Sequence, residues 1–179
     1  MSKNDTGKQQ IVIFKIDNRR YGATIDQIRE ITRIGEISPI PNAPHYIIGV
    51  TNRRGQVTTV LDLRKRLGMA EKAIDQHSRM LIIETKTTSK GIVVDAVEDA
   101  AMLAKSDIEE TPELAKTMDE TSDYVIGVGK KDKELIVLLD LKALTADRSD
   151  NVELEVNSEV FENKTVPMPV NNSKAKIGR

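Results

Sequence analysis

The chain has 179 residues, among them no Cys, no Trp, two His, two Phe and three Tyr. Its 27 Lys and Arg residues nearly balance 28 Asp and Glu residues, for a formal net charge of −1. This composition excludes disulfides, a cysteine nucleophile and a cysteine zinc site, and two histidines leave little for other metal or proton-transfer chemistry. The balanced charge gives no overall field for nucleic acid or anionic lipid. We therefore expect a protein that is not an enzyme and uses no metal or cofactor.

No targeting or membrane segment is predicted. Residues 1–10 are polar and lack the apolar stretch of a secretory signal. The longest apolar runs, such as residues 135–139, are about a quarter of the roughly 20 residues that a membrane helix needs. We expect a cytoplasmic protein with no direct membrane insertion.

The first half of the chain predicts two strand pairs joined by an extended segment. Its β-branched residues predict strands over residues 11–16, 21–25, 46–51 and 57–63. The turn pair Asp17-Asn18 separates the first two strands. Residues 52–55, which end in Gly55, form the turn of the second hairpin. Three prolines between these pairs, Pro39, Pro41 and Pro44, exclude a regular helix and favour an extended crossing segment.

The second half repeats this order. Strands are predicted over residues 80–85, 91–97, 124–128 and 135–141, with the last two joined by a tip over 129–133. Helical signals are short and fall on residues 26–30 and 64–67, with a capping-box turn over 106–109. Residues 148–179 are polar and predict a mobile tail, although Val152, Leu154 and Val156 alternate as in a strand.

Two matches at one spacing indicate an internal duplication. The segment YIIGV at residues 46–50 recurs as YVIGV at 124–128, and VLDL at 60–63 recurs as LLDL at 138–141, both 78 residues later. Upstream, Tyr21-Gly22 resembles Lys90-Gly91 at a spacing of 69. The duplication predicts one all-β domain over 10–147 made of two similar small barrels, with halves over about 10–70 and 78–147. Whether each barrel is contiguous or the halves exchange strands stays open.

Three patterns resemble chemical sites but have commoner structural interpretations. The GVGK segment at residues 127–130 lacks the spacing of a phosphate loop and lies in a predicted hairpin. Asp62 and Asp140 would make paired carboxylates, yet their equivalent places in the repeat favour acceptance of backbone N–H groups at a strand end. Three neighbouring carboxylates, on Asp95, Glu98 and Asp99, would suit a cation. Such a group more commonly lies on the solvated rim of a barrel.

The alternative function from another class is nucleic-acid binding, because small barrels of the OB or SH3-like type also bind single strands. That function needs a basic groove with aromatic side chains on which bases stack. Basic clusters occur at Arg53-Arg54, 64–66 and Lys130-Lys131, but few aromatic residues accompany them. The sequence therefore favours a protein without a nucleic-acid partner.

An ordered set of motifs resembles the CheW family of chemotaxis coupling proteins. YIIGVTNRRG at residues 46–55, VLDLR at 60–64 and GIVVDAV at 91–97 carry the resemblance, together with Ile28-Arg29-Glu30-Ile31 and the repeat at 124–141. The match runs from about Gln10 to Leu144. The same module occurs in the kinase CheA and in CheV, but this chain has no room for their other domains, so the resemblance implies the free-standing adaptor.

The resemblance implies two five-stranded, SH3-like β-barrels with an apolar core between them. It also implies a non-enzymatic adaptor of bacterial or archaeal-type chemotaxis that couples receptors to the histidine kinase CheA and supports array assembly. Its partners would be the regulatory domain of CheA and the cytoplasmic tips of methyl-accepting chemoreceptors. The protein would be cytoplasmic and recruited to receptor arrays at the membrane.

Six residues are carried over by motif as receptor-binding or kinase-binding positions: Ile28, Glu30, Arg54, Met80, Gly91 and Val97. Arg54 matches the arginine of the N-x-R-G turn, although most hairpin arginines are solvated. Ile28 and Glu30 match a receptor-facing position, although an aliphatic in this chain is usually core. Arg53 departs from the family, in which Leu usually stands before the motif arginine. We hypothesise that Glu30 and Arg54 lie close together and jointly order the receptor site.

Overall fold

The structure is a computed structural model that describes residues 7–85, 88–110 and 123–146. The tail predicted over 148–179, including its alternating valines and leucine, lies outside the described residues. No helix in these three ranges is long and apolar enough to cross a membrane.

The regular secondary structure of the described residues is mostly strands. They are β1 (Lys8–Ile16), β2 (Arg19–Thr24), β3 (Glu30–Thr32), β4 (Ile47–Arg53), β5 (Gln56–Asp62), β6 (Arg79–Glu84), β7 (Ser89–Val94), β8 (Ala96–Ala104), β9 (Ile108–Glu109), β10 (Val125–Lys131) and β11 (Glu134–Leu139). Helix α1 (Leu63–Arg66) follows β5 and helix α2 (Leu141–Thr145) follows β11. Short 3₁₀ turns occupy Ile25–Gln27 and Lys105–Asp107.

The two halves exchange strands. One sheet has the order β8-β1-β2-β11-β10-β9 and the other β3-β6-β7-β5-β4. The first hairpin of each half therefore lies beside the last hairpin of the other half. The junctions are the parallel pairs β2 with β11 and β5 with β7, where Tyr21 faces Val137 and Ile92 faces Leu61. The question that the sequence left open is thus answered by strand pairing, since neither sheet is contiguous in sequence.

Both sheets close on themselves, which confirms the predicted pair of all-β barrels. In the five-stranded sheet, the chain after β3 reaches β4, where Ser38 and Val50 exchange two backbone hydrogen bonds of 2.8 Å. In the six-stranded sheet, β8 pairs with β1 and the continuing β9 pairs with β10. The sixth strand arises because the 3₁₀ turn bends this long segment into two named strands.

The glycine of each YxIGV repeat permits this closure. A Cβ on Gly49, whose φ is 148°, would lie 2.3 Å from the carbonyl oxygen of Ser38. A Cβ on Gly127 would lie 2.7 Å from that of Glu109. Only a residue without a side chain allows so close an approach, which explains why the motif repeats.

Apolar residues form one core between the sheets and one inside each barrel. The central core takes Phe14, Tyr21, Ile92 and Leu139 among others, and thus draws on both sheets. The barrel cores are Ile11, Ile13, Ala101, Leu103, Ile136 and Leu138 in the six-stranded barrel, and Val60, Met80, Ile82 and Val93 in the five-stranded barrel. Aliphatic residues fill these narrow interiors, consistent with the chain's poverty in aromatics.

Several local expectations need correction. The capping box over 106–109 is wrong, because the 3₁₀ turn begins after Ala104 without a side-chain cap and Glu109 lies in β9. The helix expected over 26–30 is one 3₁₀ turn, followed by the unpredicted strand β3. The tip over 129–133 is shorter than predicted, since β10 extends to Lys131 and only Asp132-Lys133 turn, both with positive φ.

Candidate binding site

The tip of the β4–β5 hairpin presents Arg54. Arg54 and Gly55 both have positive φ, of 52° and 82°, as the two central residues of a type I′ turn require. The Asn52 side-chain oxygen accepts a 3.0 Å hydrogen bond from the Gly55 N–H, which braces the turn. Nothing lies within 4 Å of where a Gly55 Cβ would be, so the glycine serves backbone geometry. The turn holds Arg54 exposed at the end of a paired hairpin.

Glu30 pairs with Arg53. The Arg53 Nη2 lies 2.8 Å from the Glu30 Oε1, and the two side chains are 19% and 37% exposed. The hydrogen bond from Arg53 lowers the pKa of Glu30 below its usual value, and the charges of Arg53, Arg54 and Arg29 lower it further. The predicted proximity of Glu30 and Arg54 agrees with the action of the Arg54 charge on that carboxylate, although the ion pair is made by Arg53. That the two residues jointly order a receptor site stays a prediction.

Topology explains why these residues meet. Glu30 begins β3, whose continuation crosses to pair with β4 at Val50. That crossing brings the start of β3 alongside the end of β4, where Arg53 lies. Residues 23 positions apart thus become neighbours through barrel closure.

Ile28 and Val97 are half-buried and pack against the central core. They occupy equivalent places in the duplication, 69 residues apart. Val97 pairs with Phe14 across β8 and β1, whereas Ile28 follows the first 3₁₀ turn. Ile31, three residues further along the chain, is 40% exposed. Both residues therefore contribute to the core and also retain some exposed surface.

Met80 and Gly91 lie together inside the five-stranded barrel. Met80 is 2% exposed, and a Cβ on Gly91 would lie 2.6 Å from its sulfur. Ile11 and Gly22 repeat this contact in the other barrel, where the corresponding distance to Ile11 is 3.3 Å. Such buried residues contact no partner directly in this conformation, and any effect on binding would act through the shape of the barrel.

A buried arginine that sequence reasoning missed joins the two halves. Arg64, 6% exposed, donates from Nε to both carboxylate oxygens of Asp95, at 2.9 and 3.1 Å. Its Nη2 lies 2.5 Å from Asp95 Oδ2 and 2.9 Å from Asp17 Oδ1, and its Nη1 donates to the Ala70 carbonyl. Burial acts to raise the pKa of Asp95, but Arg64 and the Asp17 N–H lower it overall. The equivalent residue in the repeat is the exposed Lys142. The difference between arginine and lysine at these two positions is the sequence signal that could have indicated a special role for Arg64.

Arg66 lies between the two tyrosines of the repeat. Its guanidinium carbon is 4.5 Å from the ring centroid of Tyr46 and 4.8 Å from that of Tyr124. Both tyrosines are 7% exposed. Because these tyrosines begin the last hairpin of each half, the two cation–π contacts link the halves.

The predicted role of the paired aspartates is confirmed. Asp62 caps α1 by accepting from the backbone N–H groups of Arg64 and Lys65, and Asp140 caps α2 by accepting from that of Ala143 at 2.9 Å. Burial raises the pKa of Asp62 despite these hydrogen bonds. The acidic rim residue Glu98 pairs with Lys15 at 2.5 Å and Arg20 at 2.6 Å. No cluster of three or more His, Cys, Asp or Glu within the described ranges could hold a metal ion.

The aromatic residues do not favour nucleic-acid binding. Every Phe and Tyr in the described part of the chain is at most 7% exposed: Phe14, Tyr21, Tyr46 and Tyr124. Bases stack on exposed rings, and these rings belong to the cores or to the Arg66 contact. The basic Arg53 is itself engaged by Glu30.

Known proteins resemble this chain along most of its length. The family model of the CheW-like domain matches residues 10–149. The chemotaxis protein CheW of Klebsiella aerogenes is 30% identical over 152 residues, which cover 83% of this chain and 90% of that protein. The chemotaxis protein CheW of Bacillus subtilis is 30% identical over 137 residues, covering 76% of this chain and 86% of that protein.

A solved structure shares the fold. The scaffolding protein TtCheW from Thermoanaerobacter tengcongensis matches with a TM-score of 0.70 at 31% identity, over 78% of this chain and 94% of that chain. The sequence match and the shared two-barrel architecture lead to the same assignment, and neither favours the nucleic-acid alternative. This chain belongs to the CheW-like family.

Proposed function

We propose that this chain is a non-enzymatic adaptor that joins the cytoplasmic tips of chemoreceptors to the regulatory domain of the histidine kinase CheA. Its membership of the CheW-like family carries the role of chemotaxis coupling adaptor. The partners extend that role: the receptor tip would dock beside Ile28, Glu30 and Arg54, and the kinase would meet exposed barrel surface. Recruitment by receptors would place the protein at arrays on the membrane.

The β3–β4 neighbourhood is the observation that supports this proposal. Glu30 and Arg54, which the motifs carry over from separate parts of the sequence, lie close enough for the Arg54 charge to act on Glu30, and Arg53 makes the ion pair with Glu30. Ile28 and the exposed Ile31 adjoin on the same segment. A surface that combines apolar residues with fixed charges suits a helical partner, because burial supplies affinity and the charges supply register.

Binding of purified components tests the proposal. The full chain is mixed with a receptor's cytoplasmic tip fragment and with CheA, first singly and then together, and complexes are separated by size. We expect each pair to associate and the three proteins to co-migrate. Failure of the chain to bind either partner would overturn the adaptor assignment.

Ile28→Ser separates docking from folding. If Ile28 anchors the receptor helix by apolar burial, the variant keeps its native far-ultraviolet circular dichroism spectrum and still binds CheA. It loses binding to the receptor tip. A variant that unfolds instead would assign Ile28 to the central core alone. Ile74→Ser, at a residue 46% exposed outside that segment, is the matched control and should leave both interactions unchanged.

A further inference from the structure

We infer that Arg53 is a specificity-determining residue: by occupying Glu30 it leaves Arg54 available, so the docked partner segment must present an Asp or Glu carboxylate to Arg54. This inference rests on the proposed function. It assigns a chemical class to the partner at the hairpin tip and a role to the residue at which this chain departs from its family's usual Leu.

The charges around the hairpin tip are unevenly paired. Three arginines act on one carboxylate, since Arg53, Arg54 and Arg29 all favour the ionised form of Glu30. Arg29 lies 3.6 Å from Glu84, and Arg53 lies 2.8 Å from Glu30. Arg54 makes no ion pair with any residue in the described ranges. The local excess of positive charge therefore resides on Arg54.

The geometry of the hairpin tip also suits a carboxylate. The type I′ turn fixes the Arg54 backbone, with the Asn52 side chain holding the turn closed. A guanidinium carries five N–H donors and no acceptor, and its planar fork matches a carboxylate in a bidentate arrangement. A fixed backbone under an exposed arginine reduces the freedom lost on binding. The tip therefore favours an anionic group over an apolar or cationic one.

Arg53 keeps Glu30 from pairing with Arg54. The Arg54 charge already acts on the Glu30 carboxylate, so without Arg53 that carboxylate would be available to pair with Arg54. The Arg53 side chain, 19% exposed, is held against Glu30 and satisfies it within the protein. Arg53 thus determines the charge that the site presents to a partner. With Arg53 in place, the site presents the cationic Arg54. Without Arg53, Glu30 would repel an incoming carboxylate and would also compete with it for Arg54.

A double-mutant cycle tests the inference. The full chain is titrated with a receptor tip fragment in which each Glu or Asp is changed in turn to Gln or Asn. We expect one such change to weaken binding about tenfold, and Arg54→Gln to weaken it equally. The two changes together should cost no more than either alone, because both remove the same contact.

Two further variants test the role of Arg53. Arg53→Leu should weaken binding of the native tip about threefold to tenfold, and Arg53→Leu combined with Glu30→Gln should restore it. Lys133→Gln, on the equivalent turn of the other barrel, is the matched control and should change nothing. Thermal unfolding checks that every variant is folded.

The outcomes separate this inference from the function on which it rests. If the native chain does not bind the native tip, the proposed function fails and this inference fails with it. If the tip binds but Arg54→Gln binds equally well, or no tip carboxylate couples to Arg54, only the inference is overturned. A restored affinity in the Arg53 and Glu30 double variant would support it independently of which tip carboxylate is used.

Discussion

Replacing Arg64 with Met should destabilise the fold more than removing any other single charge from the cluster of Arg64, Asp95 and Asp17. The change keeps the aliphatic stem but removes the hydrogen bonds to Asp95, Asp17 and Ala70. Among the described residues, Asp95, whose side chain is 14% exposed, is then left with a single 2.7 Å hydrogen bond, from the Asp17 N–H.

The expected size follows from burial. Removing one partner of a buried ion pair typically costs about 3–5 kcal/mol, because the other charge is left without compensation. The residual exposure of Asp95 lets water reach the carboxylate, so we expect about 3 kcal/mol, the lower end of that range. The Asp17 carboxylate is 64% exposed and adds little.

Urea unfolding followed by far-ultraviolet circular dichroism measures the loss. Lys142→Met is the matched control, because Lys142 occupies the equivalent position of the repeat and is exposed, and its effect should stay below about 0.5 kcal/mol. Combining Arg64→Met with Asp95→Asn should cost less than the sum of the two single changes. A loss below about 1 kcal/mol for Arg64→Met would refute the claim that this arginine clamps the two halves.

Three other predictions concern closure, the tyrosine contacts and acid stability. Gly49→Ala should lower the free energy of unfolding in urea by about 2–4 kcal/mol, because its Cβ would clash with Ser38. Gly35→Ala is the control, since nothing lies within 4 Å of its Cβ, and it should be neutral or stabilising. Equal effects of the two changes would refute the closure argument. Arg66→Met removes two cation–π contacts and should lower the free energy of unfolding by about 1–2 kcal/mol. An unchanged free energy of unfolding would show that these contacts do not stabilise the fold. Hydrogen bonding from the His77 N–H and then from Lys72 lowers the pKa of Asp75 from 3.8 to about 2. The stabilisation that ionised Asp75 provides is therefore complete above the pKa of this residue in the unfolded chain and is lost as the pH falls through about 2. The difference in free energy of unfolding between the native chain and Asp75→Asn should consequently shrink from pH 6 to pH 2.

The repeating features of the fold were predictable from the sequence because they depend on local backbone chemistry. The xLDL repeat places a capping aspartate in each half, as predicted. The YxIGV repeat places a glycine at each barrel closure, a role that the sequence did not predict. Alternating β-branched residues identified the eight hairpin strands, four in each half, with errors of at most three residues at their ends.

Exchange between the halves was not predictable, because it depends on which hairpin pairs with which. A contiguous barrel and an exchanged barrel bury the same alternating residues, so periodicity cannot distinguish them. The missed strand β3 has only three residues, and its pairing with β6 comes from the other half of the chain. Arg64 escaped notice for the same reason, since its carboxylate partners lie 31 and 47 residues away.

The candidate site was predicted as a neighbourhood but not as a set of contacts. Motif resemblance indicated Glu30 and the hairpin tip, and barrel closure does bring them together. Tandem arginines at 53 and 54 point to different places because one ends a strand and the other begins a type I′ turn, a distinction of backbone φ that residue identity does not reveal. Met80 and Gly91 carry the same motif resemblance, but they lie inside a barrel.

The most direct test of the adaptor role is whether this chain makes one complex out of two proteins. A receptor tip fragment and CheA are mixed at equal concentration with and without the full chain, and the mass of the complex is measured by light scattering after size separation. We expect a ternary complex that forms only when the chain is present and that Arg54→Gln weakens on the receptor side alone. Receptor and kinase that remain separate in the presence of the folded chain would contradict the account.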